Sequence, residues 1–79
     1  PPATRALAQI RRLSADPSLE LRRSALPLLR SLGANEAVGP AVRETLLGLA
    51  REEPDAGVRG EALDALAAVA ETVPELRET

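Results

Sequence analysis

The side chains of this chain that could perform acid–base chemistry are almost all carboxylates. Its 79 residues include twelve acidic residues and ten arginines, and they lack His, Cys, Lys and Tyr. Two neighbouring carboxylates can share general acid and base roles, as the pair Glu52-Glu53 could. This pair falls at a predicted turn, without a nucleophile or partner base of the usual kind. We therefore expect no catalytic residues and no enzyme, with a hydrolase that uses carboxylates as the alternative.

Metal and cofactor sites lack their usual ligands as well. Zinc and most transition metals bind through His and Cys, which are absent. Carboxylates alone could bind Ca²⁺ or Mg²⁺, but the chain contains no D-x-[DN]-x-[DN]-G loop. We expect no metal site and no cofactor.

Charge and composition also bear on the class of partner. The net charge is -2 and there are no aromatic rings, whereas nucleic-acid binders usually carry a basic excess or stacking platforms. No apolar run approaches the ~20 residues of a membrane span. We expect neither nucleic acid nor membrane as a partner, with nucleic-acid binding as a less favoured alternative, and we expect a cytoplasmic location.

The elements that must position these side chains are four segments of helical length. Their approximate bounds are 3–15, 17–32, 38–52 and 54–71, and none shows the period-two alternation of a strand. Asp16 and Glu53, each followed by proline, are predicted to cap the second and fourth helices. Gly33 is predicted to end the second helix in a left-handed conformation. The predicted fold class is all-α.

Two of the segments carry the same pattern 37 positions apart. The stretch DPSLELRRSAL (16–26) is echoed by EPDAGVRGEAL (53–63), while the first and third segments align best at a shift of 36. A repeat of this length predicts an α–α superhelix of two helical hairpins, residues 1–34 and 35–72. Residues 73–79 would be a tail or the start of a third unit. Because such folds usually need three or more units, we expect a segment of a longer protein.

A helical wheel of the second segment predicts which of its residues are buried. The core stripe contains Leu21, Ala25, Leu28, Leu29 and Leu32. Leu19 and Leu26 widen the apolar arc to about half the circumference, which indicates contact with a second layer of helices.

The repeated pattern resembles HEAT repeats, particularly the HEAT-like type found in phycobilisome-lyase-related proteins, with armadillo repeats as a close neighbour. The match lies in an acidic-Pro turn followed by an apolar-Arg pair, Leu21-Arg22 in one copy and Val58-Arg59 in the other. The resemblance implies a non-catalytic scaffold whose second helices line a concave face, with a lyase-associated subunit as a less favoured alternative. It also implies stacking contacts between units, for which we expect Asp16, Arg22, Leu26, Arg59 and Leu63.

The exposed arcs of the second and fourth segments form the predicted protein-binding surface. Its candidate residues are Glu20, Arg23, Ser24, Pro27, Arg30, Gly60, Glu61, Asp64 and Ala67. A structural role through self-association is the alternative, with a homodimer formed by apolar ends of the repeats. The candidates for those ends are Leu7, Ile10, Leu19 and Leu26 on one side, and Leu63, Val69 and Val73 on the other.

Overall fold

A computed structural model describes residues 2–71, which form four α-helices joined by short turns. The helices are α1 (Pro2–Ser14), α2 (Leu19–Leu32), α3 (Gly39–Glu52) and α4 (Ala56–Glu71). No strand occurs in residues 2–71, so the predicted all-α class and its helical hairpins are confirmed. The segment 73–79, predicted as a tail or a third unit, lies outside the described residues. None of the four helices has both the length and the apolar character needed to cross a membrane.

Helices α2 and α4 begin two residues later than predicted, because the capping residues differ from those expected. The Ser18 hydroxyl accepts a hydrogen bond from the Leu21 amide, and Asp55 Oδ1 accepts one from the Val58 amide at 2.9 Å. Ser18 and Asp55 are 37 positions apart, as the repeat requires. The prediction that Asp16 caps α2 is wrong, since its Oδ1 instead accepts from the Ser18 amide at 2.8 Å in the turn before the helix.

Gly33 ends α2 without a left-handed residue, so that prediction is also wrong. Its backbone is right-handed (φ -61°, ψ -20°), and its amide donates to the Leu29 carbonyl at 2.9 Å. The reason for glycine is the close approach of α4, since a Cβ at this position would lie 2.5 Å from Val69 Cγ2. The small residue therefore sets how closely the end of α2 packs on α4.

The helices pack as two hairpins that lie side by side. Helix α1 packs mainly on α2 and α3 mainly on α4, while α2 makes a larger contact with α4 than with α3. Among the described residues, α1 contacts α3 and does not contact α4. All four helices share one core, made of Leu7, Ile10, Ala25, Leu26, Leu29, Val38, Val42, Leu46, Val58, Ala62, Ala65 and Val69.

Several apolar residues are not buried as predicted. Leu21 and Leu28, expected in the core stripe, are 43% and 44% exposed. Leu26 is only 3% exposed and lines a cavity with Glu61 and Asp64 of α4. Helix α2 thus turns its Leu26 side toward α4 and its Leu21 side away. Four residues predicted to lie on exposed apolar ends of the repeats lie in the core instead, and they are Leu7, Ile10, Leu26 and Val69.

Candidate functional site

A buried ion pair joins the two hairpins. Arg22 Nε of α2 donates to both carboxylate oxygens of Glu53 at 3.1 Å, and Arg22 Nη2 lies 3.0 Å from Glu53 Oε1. The Glu53 side chain is only 2% exposed and that of Arg22 17%. Two charges this well shielded from water must be paired. The pair therefore fixes α2 of the first hairpin against the turn that precedes α4 of the second.

An arginine also contacts the preceding turn in each hairpin. Arg22 Nη1 donates to the carbonyls of Asp16 and Pro17, at 3.1 and 2.9 Å. Its counterpart Arg59 donates through Nη1 to the carbonyls of Glu53 and Pro54, at 2.7 and 3.0 Å. The arginine-to-turn contact is thus repeated with the 37-residue shift seen in the sequence.

The carboxylates of these turns also have equivalent local roles. Glu53 Oε1 accepts a hydrogen bond from the Asp55 amide at 3.2 Å, and Asp16 Oδ1 accepts one from the Ser18 amide. The sequence predicts Glu53 as a helix cap and as a member of the Glu52-Glu53 pair, and neither prediction includes its burial. Its equivalence to Asp16 and its place in a turn facing an arginine are the signals that could have identified it.

A further contact between the hairpins joins α1 to α3. Arg11 Nε donates to Thr45 Oγ1 at 3.0 Å, and Arg11 Nη2 donates to the Ala41 carbonyl at 3.4 Å. Sequence reasoning gave Arg11 no role. Like the Arg22–Glu53 pair, this contact links the two hairpins.

The predicted binding surface contains a groove between α2 and α4. The α2–α4 groove is a cavity of about 180 Å³ lined by Leu26, Pro27, Arg30, Glu61 and Asp64. At its edge Arg23 Nη2 lies 2.6 Å from Glu61 Oε1, with both side chains substantially exposed. The hydrogen bond and the negative charge of Glu61 raise the pKa of Arg23, because both stabilise the guanidinium.

The groove gathers some of the candidate partner-binding residues and leaves others apart. Pro27, Arg30, Glu61 and Asp64 line it, and Arg23 reaches it through Glu61. The remaining candidates are exposed but do not line the groove, and they are Glu20, Ser24, Gly60 and Ala67. One of them has an internal partner, since Ser24 Oγ donates to the Leu21 carbonyl at 2.6 Å.

A larger cavity lies at the turns, and three carboxylates line it. It measures about 470 Å³, and its wall includes Asp16, Glu52 and Glu53 together with Arg22 and Gly48. Glu53 is held there by Arg22, so its carboxylate acts as an ion-pair partner. In residues 2–71 no three acidic side chains are grouped so that they could hold a metal ion. The Arg22–Glu53 pair that joins the hairpins thus forms part of the wall of this cavity.

Comparison of the chain with protein-family models, with curated proteins and with solved structures finds no match in any of the three. The geometry and the sequence pattern therefore carry the functional argument.

Proposed function

We propose that this chain is a non-catalytic protein-interaction module, an α–α superhelix of the HEAT-like type that binds a protein partner on the surface of α2 and α4. The observation that carries the proposal is the side-by-side packing of α2 and α4 around an open groove with charged walls. In a closed bundle of four sequential helices, α1 would instead pack against α4.

The repeated turn contacts support the superhelical part of the proposal. Each hairpin has an arginine near the start of its second helix that donates to the two carbonyls of the preceding turn. Units that are equivalent in this way stack by repeating one interface, and their second helices then form a continuous surface. The Arg22–Glu53 pair supplies that interface here.

The groove chemistry supports a protein partner with both charges. Arg30 and the apolar Pro27 lie on the α2 side, where Leu26 is largely buried, and Glu61 and Asp64 lie on the α4 side. A peptide segment with a small apolar residue flanked by one acidic and one basic residue would complement these walls. Pro27, Arg30 and Asp64 are exposed on this surface, so a partner can reach them.

Peptide selection followed by mapping tests the proposal. Peptides selected from a random display library against the whole chain are titrated into the labelled protein, and amide shifts are followed by NMR. We expect the largest shifts at Pro27-flanking residues, Arg30, Glu61 and Asp64. Arg30→Glu should abolish binding, whereas Arg51→Glu, an equal change of charge on the exposed side of α3, should not.

The proposal fails if the selected peptides map to another surface, or if Arg30→Glu and Arg51→Glu weaken binding equally. It also fails if selection yields no peptide that binds in solution. Circular dichroism of both variants provides the control that each remains helical.

A further inference from the structure

The large apolar side chains that remain exposed on α2 lie where the second hairpin buries its own counterparts. Leu21 and Leu28 are 43% and 44% exposed, whereas Val58 and Ala65, 37 positions later, are 0% and 1% exposed. Val58 and Ala65 are residues of α4, and both lie in the core that the two hairpins share. The surface of α2 around Leu21 and Leu28 faces away from α4. We name this surface, together with Asp16 in the turn before α2, the head face.

The opposite end of the stack shows the complementary difference. Leu63 of α4 is 55% exposed, whereas its counterpart Leu26 of α2 is 3% exposed because α4 lies against it. We name the surface around Leu63 and Arg59 the tail face. The tail face of the second hairpin thus repeats the surface of the first hairpin that α4 covers.

The charges at the two faces match in the same register. Inside the chain, Arg22 of one hairpin pairs with Glu53 of the next. Arg59 is the counterpart of Arg22 and Asp16 is the counterpart of Glu53. Within residues 2–71 neither Arg59 nor Asp16 forms an ion pair, so each keeps a charge of the sign that the other face requires.

We propose that a second copy of this chain docks head to tail on the first and repeats the interface between the two hairpins. Leu63 of one copy packs against Leu21 and Leu28 of the next, and Arg59 of the first pairs with Asp16 of the second. The contact is continuous with the interface already present inside the chain. The contact lies on the sides of α2 and α4 that face away from each other, so its test is independent of the proposed peptide-binding function.

Head-to-tail contact makes a prediction about stoichiometry that a two-fold dimer does not. A stack of any length retains one free head at one end and one free tail at the other, so association is open-ended. In sedimentation equilibrium of the 79-residue chain, the weight-average mass should rise with concentration past that of a dimer. A mass that levels off at two copies would contradict the proposal, because it indicates a closed two-fold contact.

Two variants that each block one face give the sharpest test. Leu28→Glu carries a charge on the head face and Leu63→Glu carries one on the tail face, both at positions exposed in the single chain. Each variant alone should be monomeric, because every contact needs both faces. Mixed together they should form a 1:1 heterodimer and nothing larger, through the intact tail of Leu28→Glu and the intact head of Leu63→Glu.

A conservative change of charge tests the ion pair. Asp16→Asn keeps an acceptor oxygen for the Ser18 amide and removes the negative charge, so it should raise the dissociation constant about tenfold. Glu44→Gln removes one negative charge in the same way on the exposed surface of α3 and should leave association unaltered. Circular dichroism and urea midpoints establish that each variant is folded.

The proposal is overturned if the wild-type chain stays monomeric at every concentration, which includes the case in which residues 72–79 or another protein occupies these faces. It is equally overturned if Leu63→Glu alone still self-associates, or if the mixture of the two blocked variants remains monomeric.

Discussion

At the scale of single residues, Glu53 links the two hairpins. Its carboxylate is almost fully buried, where it bonds Arg22 of the other hairpin and the Asp55 amide of its own turn. A buried ion pair need not stabilise a protein more than apolar residues of the same shape would. Removing one partner is different, because it leaves the other charge shielded from water and uncompensated.

Glu53→Gln should therefore lower the free energy of unfolding by about 2–4 kcal/mol. Glutamine keeps the shape and one acceptor oxygen but leaves the guanidinium of Arg22 without a counter-charge. Glu52→Gln is the matched control, since Glu52 is the exposed neighbour and its change should stay within about 0.5 kcal/mol. Urea unfolding followed by circular dichroism measures both. Equal effects of the two substitutions would show that the pair does not join the hairpins.

The ion pair was only partly predictable from the sequence. A helical wheel places Arg22 at the rim of the apolar arc, and the punctuation of the chain places Glu53 in a turn. Both facts are local, whereas the pairing depends on where the second hairpin lies relative to α2. The 37-residue equivalence of Asp16 and Glu53 is visible in the sequence, but it does not by itself give the distance between units.

At the scale of elements, the glycines separate close packing from open surface. Gly33→Ala should destabilise the fold by about 1–3 kcal/mol, because the added Cβ would lie 2.5 Å from Val69 Cγ2. Gly60→Ala should stabilise it by about 0.5–1 kcal/mol, since no atom lies within 4 Å of the added Cβ and alanine favours the helix. Thermal unfolding of the two variants provides the comparison. Shifts of the same sign would contradict the close approach of α2 and α4.

Pro27 gives a second prediction for α2. It lies inside the helix, where it cannot donate to the Arg23 carbonyl, so Pro27→Ala should raise the free energy of unfolding by about 1–3 kcal/mol. Pro40 lies in the first turn of α3, where proline is favourable, so Pro40→Ala should change stability by less than about 1 kcal/mol and lower it. Chemical unfolding distinguishes the two. A loss of stability for Pro27→Ala would mean that α2 requires the bend that proline imposes.

The helices were predictable as elements, whereas their ends and orientations were less so. Prolines, caps and apolar spacing locate all four helices, but the prolines drew the predicted starts to Asp16 and Glu53, two residues before the true caps Ser18 and Asp55. The wheel also gives the width of the apolar arc of α2 and not the side that meets a partner. For that reason Leu21 and Leu28 were placed in the core, although α4 lies on the side of Leu26.

At the scale of the whole molecule, the arrangement of the hairpins is the finding on which both proposals depend. A repeat in the sequence predicts equivalent units but leaves open whether they stack or close into a bundle. In residues 2–71, α2 lies against α4 while α1 and α4 stay apart, and the arginine-to-turn contacts are equivalent in the two units. This arrangement leaves the α2–α4 groove open and the head and tail faces unpaired.

The most direct test of this arrangement is a set of proton–proton Overhauser distances measured by NMR on the labelled chain. We expect cross-peaks between the Hα protons of Gly33 and the methyl groups of Val69, and between the side chains of Arg11 and Thr45. Cross-peaks joining the backbone protons of α1 to those of α4, with none between Gly33 and Val69, would show a closed bundle and contradict it.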